Sequence, residues 1–110
     1  MKQRDICFAN LNPTRGSEQN GLRPVVIISG DTMNDNLGIC IVCPLSSKIK
    51  NYPSTVYIEK SSENGLSENS EVICFQVRAI SKERLNPPLG KISHVQLEKI
   101  IENLNGLFEL

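Results

Sequence analysis

Short runs of β-branched, aromatic and other apolar residues alternate along most of the chain with clusters of glycine, proline, asparagine and serine. This pattern is typical of short β-strands joined by turns. It predicts five strands, at Asp5–Leu11, Arg23–Ser29, Gly38–Leu45, Ser54–Glu59 and Glu71–Ile80. The polar stretch Ser61–Ser70 contains the Asn64-Gly65 pair, a common hairpin signal, and therefore predicts a turn region.

The C-terminal segment changes from strand-like spacing to helical spacing. Ser93 and Gln96 fit a capping box, which marks the start of a helix. The apolar residues that follow form one stripe: Leu97, Ile100, Ile101, Leu104, Leu107 and Phe108. We therefore predict a mainly β fold, in which a barrel-like sheet of about five to seven strands is covered by one terminal amphipathic helix.

Length and charge restrict the classes of function. A chain of 110 residues makes one domain, residues 1–110, with a hydrophobic core of its own. Its formal net charge is zero and the charges are interspersed, so overall electrostatics predicts neither a nucleic-acid-binding nor a membrane-binding protein. Apolar runs long enough for a signal peptide or a membrane span are absent from the sequence, and we expect a cytoplasmic protein without a membrane partner.

The cysteines do not indicate a metal or redox site. Cys7, Cys40, Cys43 and Cys74 all lie in apolar, strand-like runs, where cysteine behaves as a small buried hydrophobe. Cys40 and Cys43 form a C-x-x-C spacing, but on a strand their side chains point to opposite faces. Because a second pair of ligands is missing, we expect neither a bound metal nor a cofactor.

The segment NPTRGSEQNGLRPVVIIS, Asn12 to Ser29, places a dense polar loop directly before a predicted strand. Turn formation explains its proline and glycines. It explains Glu18, Gln19 and Arg23 less well, since a surface loop does not need a carboxylate, an amide and a guanidinium at the start of a strand. Loops carry binding and catalytic residues disproportionately, so this loop is a candidate site.

This segment closely resembles the signature of the MazF/PemK/Kid family of toxin endoribonucleases. CPLSSKIKNYP (Cys43–Pro53) is similar to the family's strand end with adjacent hydroxyl residues, and EVICFQVRAISKERL (Glu71–Leu85) to its Q-x-R-x-[IV] strand. The resemblance covers nearly the whole chain and implies an SH3-like small barrel of the MazF/Kid/CcdB type with a C-terminal helix. It also implies a homodimer that cleaves single-stranded RNA without metal and is neutralised by a cognate antitoxin.

The resemblance implies roles for three candidate catalytic residues. Arg23 takes the position of the family's essential arginine, and its planar donors match phosphate oxygens. Ser46 takes the position of a catalytic threonine, although a one-residue shift in register would put Ser47 there. Glu18 is a candidate general base for the 2′-hydroxyl, or else it accepts backbone amides and pins the loop; both roles remain open.

A second set of residues is expected to contact RNA: Arg15, Ser17, Gln19, Ser47, Lys48, Tyr52, Gln76 and Arg78. Tyr52 lies in a loop and is the aromatic residue expected to be exposed, whereas the other aromatic residues are expected in the core. Gln76 and Arg78 stand two apart on a predicted strand and should share a face. Arg78 suits a structural ion pair equally well.

Two other classes of function stay open at this point. A gyrase-poisoning toxin of the same fold would not need Arg23 and Ser46 together, and a non-catalytic binding domain would need neither. The chain departs from the family pattern at Ser46, where threonine is usual, and at Arg4, where glycine is usual. Because Arg23 and Ser46 are both present, we predict a toxin endoribonuclease.

Overall fold

The structure is a computed structural model that describes residues 1–19 and 21–108. It contains seven β-strands: β1 Asp5–Asn10, β2 Leu22–Ile27, β3 Ile39–Ser46, β4 Thr55–Ile58, β5 Ser70–Ile73, β6 Arg78–Ser81 and β7 Leu85–Lys91. The helices are α1 Asp31–Asn36 and α2 His94–Gly106, and two short 3-10 helices span Cys74–Gln76 and Lys82–Arg84. None of the helices in these ranges is long and apolar enough to cross a membrane.

The strands pair in the antiparallel sense, in the order β4-β5-β3-β2-β1-β7, and β6 also pairs with β3. β3 is the centre of this arrangement. Its first half pairs with β6, its last two residues pair with β5, and β2 runs along its other side. The C-terminal end of β3, at Ser46, therefore lies beside β5, whereas the beginning of β3 lies beside β6.

Successive side chains of a strand point to opposite faces of the sheet, and in the central strands both faces are buried. One face packs against α2 in a cluster that includes Ile6, Val26, Leu45, Leu97 and Ile100. The other face belongs to a second cluster, which includes Cys7, Val25, Val42, Ile80 and Leu85. Burial of side chains of this size contributes about 1.5–3 kcal/mol each, so the two clusters stabilise the sheet on both sides. The predicted mainly β fold with a C-terminal helix is confirmed.

The prediction of one continuous strand over Glu71–Ile80 was wrong. The 3-10 helix at Cys74–Gln76 divides this segment into β5 and β6. The turn redirects the chain so that β5 pairs with the end of β3 and β6 with its beginning. The sequence analysis also missed α1 and β7. β7 contains Pro87 and Pro88, residues that a strand tolerates at the edge of a sheet, which is where β7 lies.

The capping box of α2 is confirmed. The Ser93 hydroxyl accepts the backbone N–H of Gln96 at 3.1 Å, and the Gln96 side chain accepts that of Ser93 at 2.9 Å. The buried stripe is narrower than predicted, since Ile101 and Phe108 are exposed. The helix ends at Gly106, so Leu107 lies beyond it.

The cysteines are buried and free, as expected. Cys40 and Cys43 belong to different core clusters, which confirms that they point to opposite faces of the sheet. Burial raises the pKa of the Cys7 thiol to about 11, so this thiol stays protonated at neutral pH. The pKa of Cys43 is raised by its hydrogen bond with Cys74 and by burial.

Arg4 adopts a backbone conformation that favours glycine. Its φ is +80°, in the left-handed region, where a β-carbon is strained. The surrounding hydrogen bonds maintain this turn: the Arg4 N–H donates to the Ile27 carbonyl at 2.8 Å, and its guanidinium donates to the Ile92 carbonyl at 2.9 Å. The departure from glycine is therefore accommodated at the entry to β1.

Candidate active site

Arg23 and Ser46 lie on neighbouring strands, β2 and β3. The pairing of these strands ends at Val25 and Pro44, and Arg23 and Ser46 each lie two residues beyond that last pair. Both residues line a cavity of about 370 Å³, which we call the Arg23 cavity; Lys48, Lys50, Tyr52 and Glu71 also line it.

Glu71, on β5, also lines the Arg23 cavity, and the sequence did not predict it as a site residue. It is the β5 partner of Ser46 and is 3% exposed. Its carboxylate accepts the backbone N–H groups of Lys50 at 3.1 Å and Asn51 at 3.3 Å. These bonds hold the loop after β3 against β5. The available signal was a carboxylate at the start of an apolar strand, a position where burial requires hydrogen-bond partners.

The two adjacent serines lie in different surroundings. Ser46 is 6% exposed, and its hydroxyl accepts the backbone N–H of Lys48 at 3.1 Å. Ser47 follows the end of β3, is exposed, and lines a second cavity of about 250 Å³ together with Phe8 and Leu66. Arg23 lines both cavities. Ser46 is therefore the hydroxyl that shares the Arg23 cavity, while the catalytic assignment itself stays a prediction.

The loop after β3 brings positive charge to the cavity. Lys48 and Lys50 are exposed, and the Lys50 Nζ lies 5.8 Å from the centroid of the Tyr52 ring. Two residues of this loop, Asn51 and Ser54, have left-handed φ values of +55° and +64°. Such conformations are strained for residues other than glycine and persist where surrounding contacts hold them. The loop that carries these two lysines is thus held in a defined conformation.

Gln76 fixes the polar loop between β1 and β2 at the edge of the same cavity. Its side-chain oxygen accepts the Gln19 backbone N–H at 2.7 Å, and its Nε2 donates to the Ser17 carbonyl at 3.3 Å. Ser17, Gln19 and Gln76 all line the Arg23 cavity. The Gln19 Oε1 is buried and has no hydrogen-bond partner among residues 1–19 and 21–108. Gln76 lies in a 3-10 helix, so the premise that it shares a strand face with Arg78 was wrong.

Four of the candidate residues lie outside the Arg23 cavity: Ser47, described above, and Arg15, Glu18 and Arg78. The Glu18 carboxylate accepts the backbone N–H of Arg15, and both residues are exposed. Glu18 and Arg78 line an adjacent cavity of about 360 Å³, which shares Gln19, Phe75 and Gln76 with the Arg23 cavity. The Arg78 guanidinium donates to the Leu11 carbonyl at 3.2 Å. The structure therefore brings Arg23 and Ser46 together and places Glu18 apart from them.

The chemical capacity of the Arg23 cavity follows from these groups. A guanidinium, a hydroxyl and two nearby ammonium groups match the oxygens of a phosphodiester, and charge-assisted donors of this kind are strong. Within the described ranges, histidine, cysteine, aspartate and glutamate form no cluster of three that would hold a metal ion. The guanidinium, hydroxyl and ammonium groups of this cavity can bind a phosphodiester and stabilise charge on its oxygens.

Comparison with known proteins identifies the family of this chain. The family model described as PemK-like, MazF-like toxin of type II toxin-antitoxin system matches residues 2–108. The endoribonuclease MazF of Staphylococcus saprophyticus is 36% identical over 102 residues, which cover 91% of this chain and 84% of that protein. The endoribonuclease EndoA of Bacillus subtilis is 30% identical over 105 residues, with coverages of 94% and 90%.

Solved structures share the fold. The crystal structure of MazF from Deinococcus radiodurans matches with a TM-score of 0.83 at 25% identity, covering 97% of this chain and 94% of that one. The Mycobacterium tuberculosis toxin MazF-mt6 matches with a TM-score of 0.80 at 23% identity, covering 97% and 98%. The barrel of the MazF type that the resemblance implied is confirmed.

Proposed function

The chain belongs to the family of PemK-like, MazF-like toxins of type II toxin–antitoxin systems, and we propose that this toxin endoribonuclease cleaves single-stranded RNA, mRNA included, without a metal ion. The observation that carries the proposal is the pairing of Arg23 with Ser46 in one cavity beside Lys48 and Lys50. A gyrase poison or a plain binding domain would give no reason for this guanidinium and this hydroxyl to line one cavity.

In the proposed reaction the 2′-oxygen of one nucleotide attacks the adjacent phosphorus. The new O2′–P bond forms as the P–O5′ bond breaks, which leaves a 2′,3′-cyclic phosphate and a 5′-hydroxyl. Arg23 binds the non-bridging oxygens, where negative charge increases in the transition state, and the Ser46 hydroxyl donates a hydrogen bond to the same phosphate. The 2′-proton leaves with a base or water, and the departing 5′-oxygen takes one up.

The remaining candidate residues divide by position. We propose that Ser17, Gln19, Lys48, Tyr52 and Gln76, which line the Arg23 cavity, contact the RNA near the cut. Arg15 and Ser47 are exposed outside it and would contact more distant nucleotides. Arg78 holds the Leu11 carbonyl, which supports the structural role for this residue.

The family's toxins act in pairs with antitoxins, and this chain has a cognate antitoxin as its partner. We further propose a homodimer that acts in the cytoplasm, where a reducing environment keeps its four cysteines free. The antitoxin would cover the Arg23 cavity. Antitoxin and an uncleavable RNA analogue should therefore compete for the toxin, and simultaneous binding of both would contradict the shared surface.

A cleavage assay tests the proposal. Purified protein is incubated with a long unstructured RNA in EDTA, with the Arg23→Ala variant as the control. Discrete cuts that carry 5′-hydroxyl and cyclic phosphate ends are expected from the wild type only. Intact RNA together with inhibited DNA gyrase would instead identify a gyrase poison. Cleavage that EDTA abolishes and added metal restores would refute the metal-free mechanism.

A further inference from the structure

Two exposed aromatic rings lie together in the Arg23 cavity. The ring centroids of Tyr52 and Phe75 are 6.5 Å apart, with ring planes inclined by 47°. Tyr52 is 52% exposed and Phe75 is 43% exposed. Burying an aromatic side chain is strongly favourable, so a paired set left open beside a reactive site points to a ligand that covers it. The prediction that Phe75 lies in the core was wrong.

The backbone holds both rings in place. Phe75 lies in the 3-10 helix that interrupts β5 and β6, between buried Cys74 and Gln76. Gln76, the residue after Phe75, is hydrogen-bonded to the loop between β1 and β2. Tyr52 belongs to the loop that Glu71 anchors, and its carbonyl accepts the Thr55 hydroxyl at 2.8 Å. The backbone that carries the two rings is therefore anchored before a ligand binds, which lowers the cost of ordering the site.

The charges around the rings match one class of ligand. Lys50 lies beside the Tyr52 ring, and Lys48 and Arg23 line the same cavity. Sites for single-stranded nucleic acid combine positive charge that follows the backbone with aromatic rings on which bases stack. Glu71, the carboxylate in the lining of this cavity, is buried and accepts two backbone amides, and the cations Arg23, Lys48 and Lys50 outnumber it.

We propose that Tyr52 and Phe75 form a stacking platform for the base of one nucleotide next to the scissile phosphate, with Lys50 on the neighbouring phosphate. This inference rests on the proposed function. Stacking tolerates any base, since every base has a π-face. The platform therefore positions the adjacent phosphodiester at Arg23 and requires an unpaired base there, while recognition of base identity falls to the polar side chains that line the cavity.

Abasic substitution tests the platform. Single-turnover cleavage is measured on a short RNA that carries the preferred cut site, intact or abasic at either flanking nucleotide. Loss of one stacked base should slow the wild type about 5- to 100-fold at one of the two positions. In the Tyr52→Leu/Phe75→Leu double variant the intact RNA should be slowed to a similar degree, and the abasic change should add less than about threefold.

Two further variants guard the interpretation. Phe75→Tyr keeps a ring and should retain the wild-type penalty for the abasic RNA, and Phe108→Leu removes a 76% exposed ring outside the cavity and should match the wild type. An abasic penalty that is absent in the wild type, or equal in wild type and double variant, overturns the platform alone. A wild type that leaves every RNA intact overturns the proposed function instead.

Discussion

Two polar, glycine-bearing loops of similar length differ in how their side chains anchor them. The loop between β4 and β5, residues 59–69, is fixed mainly from within. Its Asn64 is 3% exposed, and the Asn64 side chain accepts the backbone N–H groups of Ser61 and Leu66, both at 3.0 Å. The same side chain donates to the Glu59 carbonyl at 2.9 Å. One buried amide thus organises most of the loop.

The loop between β1 and β2, residues 11–21, also has internal hydrogen bonds, but in addition residues distant in the chain anchor it. Gln76 binds Gln19 and Ser17, and the Arg84 guanidinium donates to the Asn12 carbonyl at 2.7 Å. Composition does not distinguish the two loops. A loop fixed from within keeps its own shape, whereas a loop fixed from outside keeps a position relative to the rest of the fold, and a composite active site needs the second property.

Substitution of Arg23, which lies in β2 after the loop between β1 and β2, should have the largest effect on RNA cleavage. Arg23→Ala should reduce single-turnover cleavage by at least about 1,000-fold, because it removes charge-assisted donors to the phosphate in the transition state. Arg23→Lys should remain about 100-fold or more below the wild type, since an ammonium group cannot reproduce the planar pair of donors. Near-normal cleavage by the lysine variant would show that charge alone is sufficient.

Next in size is the difference between the two serines. Ser46→Ala should slow single-turnover cleavage by roughly 30- to 1,000-fold, the value of about 2–4 kcal/mol in transition-state hydrogen bonding. Ser47→Ala should stay within about threefold of the wild type, because Ser47 lies outside the Arg23 cavity. Ser46→Thr should be active, since threonine keeps the hydroxyl and restricts its rotamer. The reverse order of the two alanine variants would move the site by one residue.

The sequence predicted elements whose signals are local. Alternation located β1 to β4, and the Ser93–Gln96 pair located the start of α2. The strand prediction failed over Glu71–Ile80. No glycine or proline marks the 3-10 turn in this segment, and every residue before the turn fits a strand. Arg23 and Ser46 were found through the family motif, whereas Glu71 and Phe75 depend on strand register and on that turn. Neither is visible in a local pattern.

A matched pair of amide-to-alanine variants tests the comparison of the loops directly. Gln76→Ala should slow cleavage about 10- to 100-fold, because the loop that carries Ser17 and Gln19 loses its distant anchor, while the free energy of unfolding falls by about 1 kcal/mol or less. Asn64→Ala should do the opposite. It should lower the free energy of unfolding by about 1–3 kcal/mol, since buried amides lose their acceptor, with cleavage within about threefold.

Urea unfolding and single-turnover cleavage, measured on the same two preparations, separate these outcomes. Both assays are run at a temperature where each variant is fully folded, so that a loss of stability does not appear as a loss of activity. If Asn64→Ala slows cleavage as much as Gln76→Ala does, the loop between β4 and β5 also positions the site. The distinction between internal and external anchoring would then fail.

The smallest expected effect is at Glu18, inside the externally held loop. Its carboxylate accepts the Arg15 backbone N–H and lies apart from the Arg23 cavity. Glu18→Gln keeps an acceptor of the same shape and removes the charge, so a loop-pinning role predicts cleavage within about threefold of the wild type and an unchanged pH dependence. A general base contributes about 100-fold or more, and its loss would also change the pH dependence. Glu18→Ala removes the acceptor as well and should be slower than Glu18→Gln if pinning is the role. Equal and large losses in both variants would instead assign Glu18 to the proton transfer, and would require the loop to move toward Arg23 when RNA binds.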